Sequence, residues 1–411
     1  NSLNYQKMSK LKIPVHEQRI GTLIIWFAAL IILEGILRKW LLTPIEQPLL
    51  FIREPVLFLI YYYYARDFGV RKIWFIPYLL FAGLIVVLAL LQAMYWEYPI
   101  LVPLLGIRFY LFYIPLAFIM GEVLTQLQMA RLLKFLLWTS IPIGILVFLQ
   151  FMSPVESPIN KGLSDDVEGR FIVVEGFVRP YGPFTFVSPQ AHWAAMLLAV
   201  IIICWEKLKN YSIPIWLFLA ATGATLVMGA LSGSRTYFGF SILIIIFYIL
   251  AGLSSSNVTI GVRRMFYVFS LIVAFLIVFV MAIPKAYESM SYRQQEASGI
   301  EGSILGRVID GFTNVVEPFS QAPILGYGLG AGSNAGNAVR GNVGLSLGET
   351  EWIRMINELG IIFGYPILSL RVLLVLGLGY AALMINKRTR DGSALIIFGF
   401  VGFCLLASTI T

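Results

Sequence analysis

Apolar residues occur along the chain in runs of about 20, separated by short polar segments. A run of roughly 20 apolar residues has the length of an α-helix that crosses a bilayer. We predict eleven spans, at about 20–37, 46–64, 74–95, 99–120, 132–151, 190–205, 212–230, 235–252, 265–283, 352–383 and 394–411. The last run reaches Thr411, and we expect a twelfth span beyond it. The pattern predicts an all-α integral membrane protein.

Two longer polar segments interrupt this series of spans. One lies at about 152–189, after the fifth span, and the other at about 284–350, after the ninth. We therefore expect nine spans in 1–283, a large loop in 284–350 and two spans in 351–411. Long loops on one side of a helix bundle usually carry function rather than fold.

The composition supports the membrane assignment. Hydrophobic residues make up 59% of the chain and charged residues 13%, and the mean hydropathy is +0.83. A soluble domain carries about 25% charged residues. A soluble enzyme and a disordered scaffold are thereby excluded. A disulfide framework is excluded too, because Cys204 and Cys404 both lie in apolar runs.

The net charge of +8 raises the question of a nucleic-acid partner, but the positions of the basic residues argue against one. Sixteen of the 30 basic residues lie in or beside the N-terminal segment and the loops at 65–73, 121–131, 206–211, 253–264 and 384–393. All these segments fall on one side of the membrane if the N-terminus is cytoplasmic, as the positive-inside rule requires. The two long polar segments then lie outside the cytoplasm.

Several charged residues are not explained by this rule. They lie within spans or at their outer ends and are Arg38, Lys39, Arg53, Glu54, Arg108, Arg235 and Arg354. An arginine in mid-span costs about 3 kcal/mol and needs a partner or a wet cavity. A neutral pair fits Arg53, with Glu54 or Glu34 as its acid. A cluster of outward-facing arginines instead suits a polyanionic headgroup such as pyrophosphate.

The segment Ser232-Gly-Ser-Arg-Thr236 is the most specific local feature. Its small residues permit a tight turn that presents Arg235 at the membrane surface. A plain hairpin with a snorkelling arginine is the alternative. Glu351 and Arg354 are also spaced to share a helix face, which suits either a catalytic pair or a plain salt bridge.

Further motifs occur in a recognisable order. They are Arg179-Pro-Tyr-Gly-Pro-Phe184, Pro189-Gln-Ala-His-Trp-Ala194, Ser232-Gly-Ser-Arg-Thr236, Pro323-Ile-Leu-Gly-Tyr-Gly-Leu-Gly330 and Glu351-Trp-Ile-Arg-Met-Ile-Asn-Glu-Leu-Gly360. In this order, around a long outer loop, they resemble the O-antigen polymerase and O-antigen ligase family. The resemblance covers roughly residues 170–370, and the earlier spans match only in number and character.

The resemblance implies a GT-C-like membrane glycosyltransferase, active on the outer face of the bacterial inner membrane. Its donor would be a glycan linked to undecaprenyl pyrophosphate, and its acceptor a hydroxyl group. By motif position Arg179 and Arg235 would hold the pyrophosphate. We add Arg108, within the fourth span, to this set. The family implies no metal and no cofactor, and the expected partners are the lipid-linked glycan, membrane lipids and a chain-length-regulating membrane protein.

One departure from the family pattern concerns the base. The ligase branch carries a histidine before the last motif helix, where this chain has Glu349-Thr350-Glu351. Glu351 is therefore our candidate base for the acceptor hydroxyl, with Arg354 assisting. His192, Arg340 and Glu358 are accessory candidates, although a packed or solvated histidine at a helix end is the plainer interpretation of His192.

We therefore expect a polymerase for a surface or secreted polysaccharide. An O-antigen ligase that attaches glycan to the lipid A core is the alternative within the class, and a transporter or flippase is the alternative from another class. The acids Asp165, Asp166 and Glu168 suit a solvated loop better than a metal site. The glycine-rich segment at 326–332 is expected to be a flexible loop that closes over a glycan.

Overall fold

The computed structural model describes residues 15–69, 73–162, 172–173, 177–254, 262, 266, 322–339 and 350–407, and these are mostly helical. Segment 1–14, almost all of the predicted span at 265–283 and most of the predicted loop at 284–350 lie outside them. The predicted residues Asp165, Asp166, Glu168 and Arg340 lie outside them too.

The helices are α1 (Val15–Ile36), α2 (Glu46–Leu49), α3 (Glu54–Phe68), α4 (Phe75–Trp96), α5 (Leu101–Ile107), α6 (Ile114–Val123), α7 (Gln126–Met152), α8 (Val187–Lys207), α9 (Ile215–Leu231), α10 (Arg235–Leu253), α11 (Asn334–Val339), α12 (Glu351–Thr389) and α13 (Ser393–Ala407). Short 3-10 helices occur at Thr43–Ile45 and Pro158–Asn160. A two-residue antiparallel ladder joins β1 (Ile172–Val173) to β2 (Phe177–Val178).

Seven helical segments of the described chain are long and apolar enough to cross a membrane. They are His16–Leu41, Phe75–Trp96, Leu101–Val123, Gln126–Met152, Val187–Lys207, Arg235–Leu253 and Glu351–Thr389. α9 and α13 are shorter apolar helices of 17 and 15 residues. Many apolar side chains on these helices are exposed, as lipid-facing side chains would be. The prediction of a multi-pass helical membrane protein is confirmed at this level.

Two predicted spans are not continuous helices. The predicted span at 46–64 is divided into α2 and α3 by turns at residues 50–53. The predicted span at 352–383 is interrupted at Gly360, where the backbone has φ 79° and ψ 173°. A β-carbon built on Gly364 would lie 2.8 Å from the Cα atom of Ile356. In a straight helix these residues would be about 12 Å apart. The chain therefore folds back at Gly360, and one continuous span is wrong here.

Two helices continue into π-helical turns that contain buried basic residues. α1 continues into a π-helical turn, Leu37–Leu41, that contains buried Arg38 and Lys39. α5 continues into a second π-helical turn, Arg108–Phe112, in which Arg108 is buried. π-helical turns are rare and occur frequently at functional sites.

The chain divides into two compact units, which are described separately. Unit 1 comprises Asn1–Tyr63, Val123–Gly299 and Tyr380–Val401. Within it α9 packs against α7 and α8, and α10 packs against α8. A β-carbon on Gly144 of α7 would lie 2.7 Å from the β-carbon of Ala224 in α9. Small residues allow this close backbone approach, which is common between membrane helices.

Unit 2 comprises Tyr64–Glu122, Ile300–Gly379 and Gly402–Thr411. In its core, residues of α4, the second π-helical turn and α12 pack around Leu329 of the glycine-rich segment. The buried members are Ile85, Leu88, Ala89, Leu111, Leu329, Met355, Ile356, Leu359 and Leu368. This packing places the glycine-rich segment beside the polar face of α12.

Gly360→Ala is expected to destabilise the protein by at least about 2 kcal/mol. The backbone at Gly360 lies in a region that is essentially restricted to glycine, and an added β-carbon would lie 2.3 Å from the Gly326 nitrogen and the Ile324 oxygen. Gly377→Ala, in the helical part of α12 after the break, is the matched control. Nothing lies within 4 Å of a β-carbon there, and alanine favours helix by about 1 kcal/mol. The thermal unfolding midpoints of the two variants are measured in detergent. Equal midpoints would contradict the helix break at Gly360.

A polar junction connects α12 to α13. The Nζ atom of Lys207 lies 2.6 Å from the Oδ2 atom of Asp391, whose other oxygen accepts from the Ser393 N–H at 3.0 Å. Burial alone would raise the pKa of Asp391, but the hydrogen bonds from Lys207 and Ser393 outweigh it and place that pKa below its ordinary value. The carboxylate is therefore stabilised in the folded state.

Asp391→Asn is expected to cost about 0.5 kcal/mol at neutral pH, because the side chain is partly exposed. Since the folded pKa is depressed, the stabilisation is present above the unfolded pKa of about 3.9 and is lost as the pH falls through the folded value. Unfolding midpoints measured between pH 7 and pH 3 should converge for wild type and variant at the acid end. A constant difference across this range would rule out the ionised pair as the cause.

Candidate functional site

The glycine-rich segment of unit 2 is fixed by hydrogen bonds. Gln92, buried in α4, accepts from the Leu329 N–H at 2.9 Å and donates to the carbonyl oxygens of Leu325 and Glu358. The backbone itself adds a bond from the Tyr327 N–H to the Asn357 oxygen at 2.7 Å. Donors and acceptors on α4 and α12 therefore bind the backbone of the segment 326–332 and its neighbours, for which we expected a flexible loop.

The glycines of this segment explain how the backbone comes so close to its neighbours. A β-carbon on Gly326 would lie 2.3 Å from the Glu358 oxygen, and one on Gly330 would lie 2.5 Å from the Val102 oxygen. Both glycines also have positive φ, 80° and 82°. Glycine is required here for contact as well as for conformation.

The first turn of α12 carries a pair of predicted catalytic residues that do contact each other. The Oε2 atom of Glu351 accepts from Nη2 and Nε of Arg354 at 2.8 and 3.1 Å. The other oxygen, Oε1, accepts from Nη1 of Arg371 at 3.3 Å. Both carboxylate oxygens are thus bound by guanidinium groups, and Oε1, which has one such contact, keeps a lone pair for a further proton donor.

Glu358 lies one turn after Arg354 on α12 and is fully buried. Its Oε1 atom accepts from the Gly332 N–H at 2.9 Å and lies 3.7 Å from Nη1 of Arg354. Its Oε2 atom accepts from the Tyr110 hydroxyl at 3.0 Å. Glu358 therefore connects the glycine-rich segment, the second π-helical turn and the Glu351–Arg354 pair in one buried network.

Three residues of this network, Arg371, Tyr110 and Gln92, were not predicted from the sequence. Arg371 is 20 residues from Glu351 and meets it only because the chain reverses at Gly360. A polar residue in the middle of an apolar run was the available signal for Gln92 and Arg371. Tyr110 gave no such signal, because aromatic residues are common in this sequence.

In unit 1 the turn before α10 has the predicted form. Gly233 has φ 54°, Ser234 is the extended N-cap residue, and the exposed Arg235 opens α10. The guanidinium group of Arg179 donates to the carbonyl oxygens of Ser232 and Gly233, each at 3.4 Å. The two arginines predicted to hold a pyrophosphate therefore belong to adjoining backbone segments, although 55 positions separate them in the chain.

His192 lies on α8 in the same unit. Its Nδ1 atom is 2.8 Å from the Ser188 carbonyl oxygen, and its ring packs edge-on against Phe240 of α10 with centroids 5.0 Å apart. A carbonyl oxygen only accepts, so Nδ1 carries the proton and the basic lone pair of the neutral ring is on Nε2. The histidine is packed, as the plainer interpretation expected, and its tautomer is fixed.

The remaining predicted residues have separate surroundings. The Arg108 guanidinium in unit 2 lies near the rings of Phe109 and Tyr113, 5.7 and 6.0 Å from their centroids. Arg53 in unit 1 contacts Glu34 at 2.9 Å, which is one of its two predicted partners, but Glu34 also binds Arg38 at 3.3 Å, so two arginines share this carboxylate and the pair is not neutral. Among the described residues no group of three or more His, Cys, Asp or Glu side chains is placed to hold a metal ion.

Comparison with protein-family models, with curated proteins and with solved structures finds no match to this chain.

Arg371→Met is expected to lower the free energy of unfolding by about 3 kcal/mol, because it leaves a buried carboxylate with one partner fewer. Adding Glu351→Gln should restore part of this loss, with a coupling of about 1–3 kcal/mol between the two positions. Denaturant unfolding of the single and double variants measures that coupling. Arg388→Met, at an exposed position late in α12, is the control. Strictly additive losses would show that the two side chains do not interact.

Proposed function

We propose that the protein is a glycosyltransferase that polymerises glycan repeats carried on undecaprenyl pyrophosphate, for an O-antigen or an exopolysaccharide. The observation that carries this proposal is the contact of Arg179 with the turn that presents Arg235. The sequence motifs suggested both arginines for one ligand group, and the fold brings their backbone segments together. A pyrophosphate is the lipid-linked anion that two guanidinium groups suit best.

The start of α10 adds to this donor site. Its N-cap residue, Ser234, makes no side-chain capping bond to the helix. The first N–H groups of a helix and its dipole favour an anion. Guanidinium groups and helix N–H groups together would balance the charge that develops on a departing pyrophosphate, so the leaving group would need no general acid.

An inverting transfer also requires a base for the acceptor hydroxyl. Glu351 remains our candidate, with Arg354 as its partner, and the second lone pair of its Oε1 atom would accept the proton. His192 is the second candidate, because its Nε2 atom carries the basic lone pair. Each can be tested by a single substitution.

We also propose the topology that the charge pattern indicates. The chain would cross the bacterial inner membrane about eleven times in a GT-C-like arrangement, with a cytoplasmic N-terminus. The donor site would face the periplasm or the exterior. Lipids and the lipid-linked glycan would be the partners, with a chain-length-regulating membrane protein as a further one.

A transporter of an anionic or lipid-linked solute is the second candidate function. It is favoured by the buried network of Glu351, Arg354, Glu358 and Arg371, because ionisable groups inside membrane helices commonly line solute or proton paths. A transporter would need these residues for flux across the membrane, whereas a transferase would form a new glycosidic bond.

Arg235→Ala is expected to reduce polymer by about 100-fold or more in cells that lack the native gene, because one charge-stabilising group of the transition state is lost. The base is the residue whose substitution, Glu351→Gln or His192→Ala, abolishes polymer. Arg388→Ala, at an exposed position in the segment 384–393 that the charge pattern assigns to the cytoplasmic side, should restore wild-type polymer. The measurement is the length distribution of lipid-linked glycan, resolved on gels.

The possible outcomes separate the functions. Single lipid-linked repeats that accumulate without polymer support the polymerase. Long polymer that stays on undecaprenyl pyrophosphate and never reaches lipid A indicates the ligase. If Arg235→Ala restores normal polymer, the donor site is wrong. Solute flux without any new glycosidic bond indicates the transporter.

A further inference from the structure

Lys39, the middle residue of the first π-helical turn, is fully buried in unit 1. A buried amino group is costly unless hydrogen bonds replace its contacts with water. Nothing in the proposed chemistry uses Lys39 directly, because its side chain has no exposed surface from which to touch a ligand. Its function must therefore lie in what it binds within the protein.

The surroundings of Lys39 form a closed cage. Its Nζ atom donates to the carbonyl oxygens of Gly182 and Phe184, both at 2.7 Å. The rings of Trp40 and Tyr181 lie 4.2 and 4.5 Å from Nζ, measured to their centroids. Carbonyl oxygens and aromatic faces are the groups that bind an ammonium ion. The cage thus joins the end of α1 to residues 181–184.

The same residues are held from a second side by α7 and the chain that follows it. The Gly182 N–H donates to Oε1 of Gln150 at 2.7 Å, and Nε2 of Gln150 donates to the Gly182 oxygen at 3.3 Å. The Tyr181 hydroxyl donates to the Asn160 oxygen at 2.5 Å. Gly182 has φ 57°, so its backbone turns here. Residues 181–184 consequently have one fixed position.

This position determines where Arg179 lies. Only Pro180 separates Arg179 from Tyr181, and the proline ring fixes φ at that residue. We propose that Lys39 is a positioning residue, which holds residues 181–184 so that Arg179 reaches the turn before α10 and meets the pyrophosphate of a lipid-linked donor. This inference rests on the function proposed above.

A purely structural role predicts a different result from a positioning role. Replacement of a buried charged group by an apolar side chain of similar length is often neutral for stability. Lys39→Met should therefore leave a folded protein in which residues 181–184 are less tightly held. A misplacement of about 1 Å at a reacting group can cost about 100-fold in rate, and we expect a loss of that order in kcat/KM.

The experiment uses the full chain in lipid nanodiscs, with undecaprenyl-pyrophosphate-linked repeats as the substrate. The main comparison is between wild type, Lys39→Met, Arg179→Ala and the double variant. Tyr181→Phe is a milder second variant that keeps the ring over Lys39 but removes the bond to Asn160. Lys209→Met is the matched control, because Lys209 is exposed in the same unit. The readouts are kcat/KM and amide hydrogen exchange of the segment 179–186.

The proposal expects faster exchange in 179–186 for Lys39→Met, a smaller change for Tyr181→Phe and none for Lys209→Met. It also expects the double variant to be no slower than Arg179→Ala alone, since both changes remove the same contribution. Unchanged exchange in 179–186, or losses that multiply in the double variant, would overturn it.

Two further outcomes separate this inference from the function on which it rests. If Arg179→Ala abolishes transfer while Lys39→Met loosens the segment but transfers normally, the positioning role is wrong and the proposed donor site stands. If neither variant changes transfer, both the positioning role and the proposed donor site are wrong.

Discussion

Satisfying polar groups inside apolar helices is the constraint on which this structure depends. Away from water, an unpaired amide or charge costs several kcal/mol, so each must find a partner within the protein. The partners here are largely backbone atoms. Glu358 binds the Gly332 N–H, Gln92 binds three backbone groups of unit 2, and Lys39 binds two carbonyl oxygens. Irregular backbone and buried polar side chains therefore occur together.

Glycine makes this arrangement possible in both units. Where Gly326 meets Gly360 the two backbones approach to distances that a β-carbon would block, and Gly182 turns with a positive φ that suits glycine. Near these glycines the backbone leaves regular helical bonding, and buried side chains bind several of its groups. Lys39 and Gln150 bind Gly182, and Gln92 binds the oxygens of Leu325 and Glu358, so the irregular backbone and the polar side chains stabilise each other.

Apolar periodicity was sufficient to predict most of the helices, and local spacing predicted the Glu351–Arg354 contact. The contact of Arg53 with Glu34 was one of two predicted alternatives, because an arginine within an apolar run needs an acid or a wet cavity. The reversal at Gly360 was not, since a glycine followed by apolar residues is equally compatible with a continuous span. Arg371 was missed for that reason. The cage around Lys39 depends on carbonyl oxygens more than 140 positions away, which leave no pattern in the sequence.

The two π-helical turns have a consequence for how the chain tolerates insertion and deletion. A π-helical turn holds one more residue than an α-helical turn, so it amounts to an insertion absorbed within a helix. Removing one residue from Leu37–Leu41 would allow a regular helix but would rotate everything after it by about 100°. Lys39 and Arg108 each lie in such a turn. Single-residue length changes at these two places would thus alter which side chains face the protein interior, while barely changing composition or hydropathy.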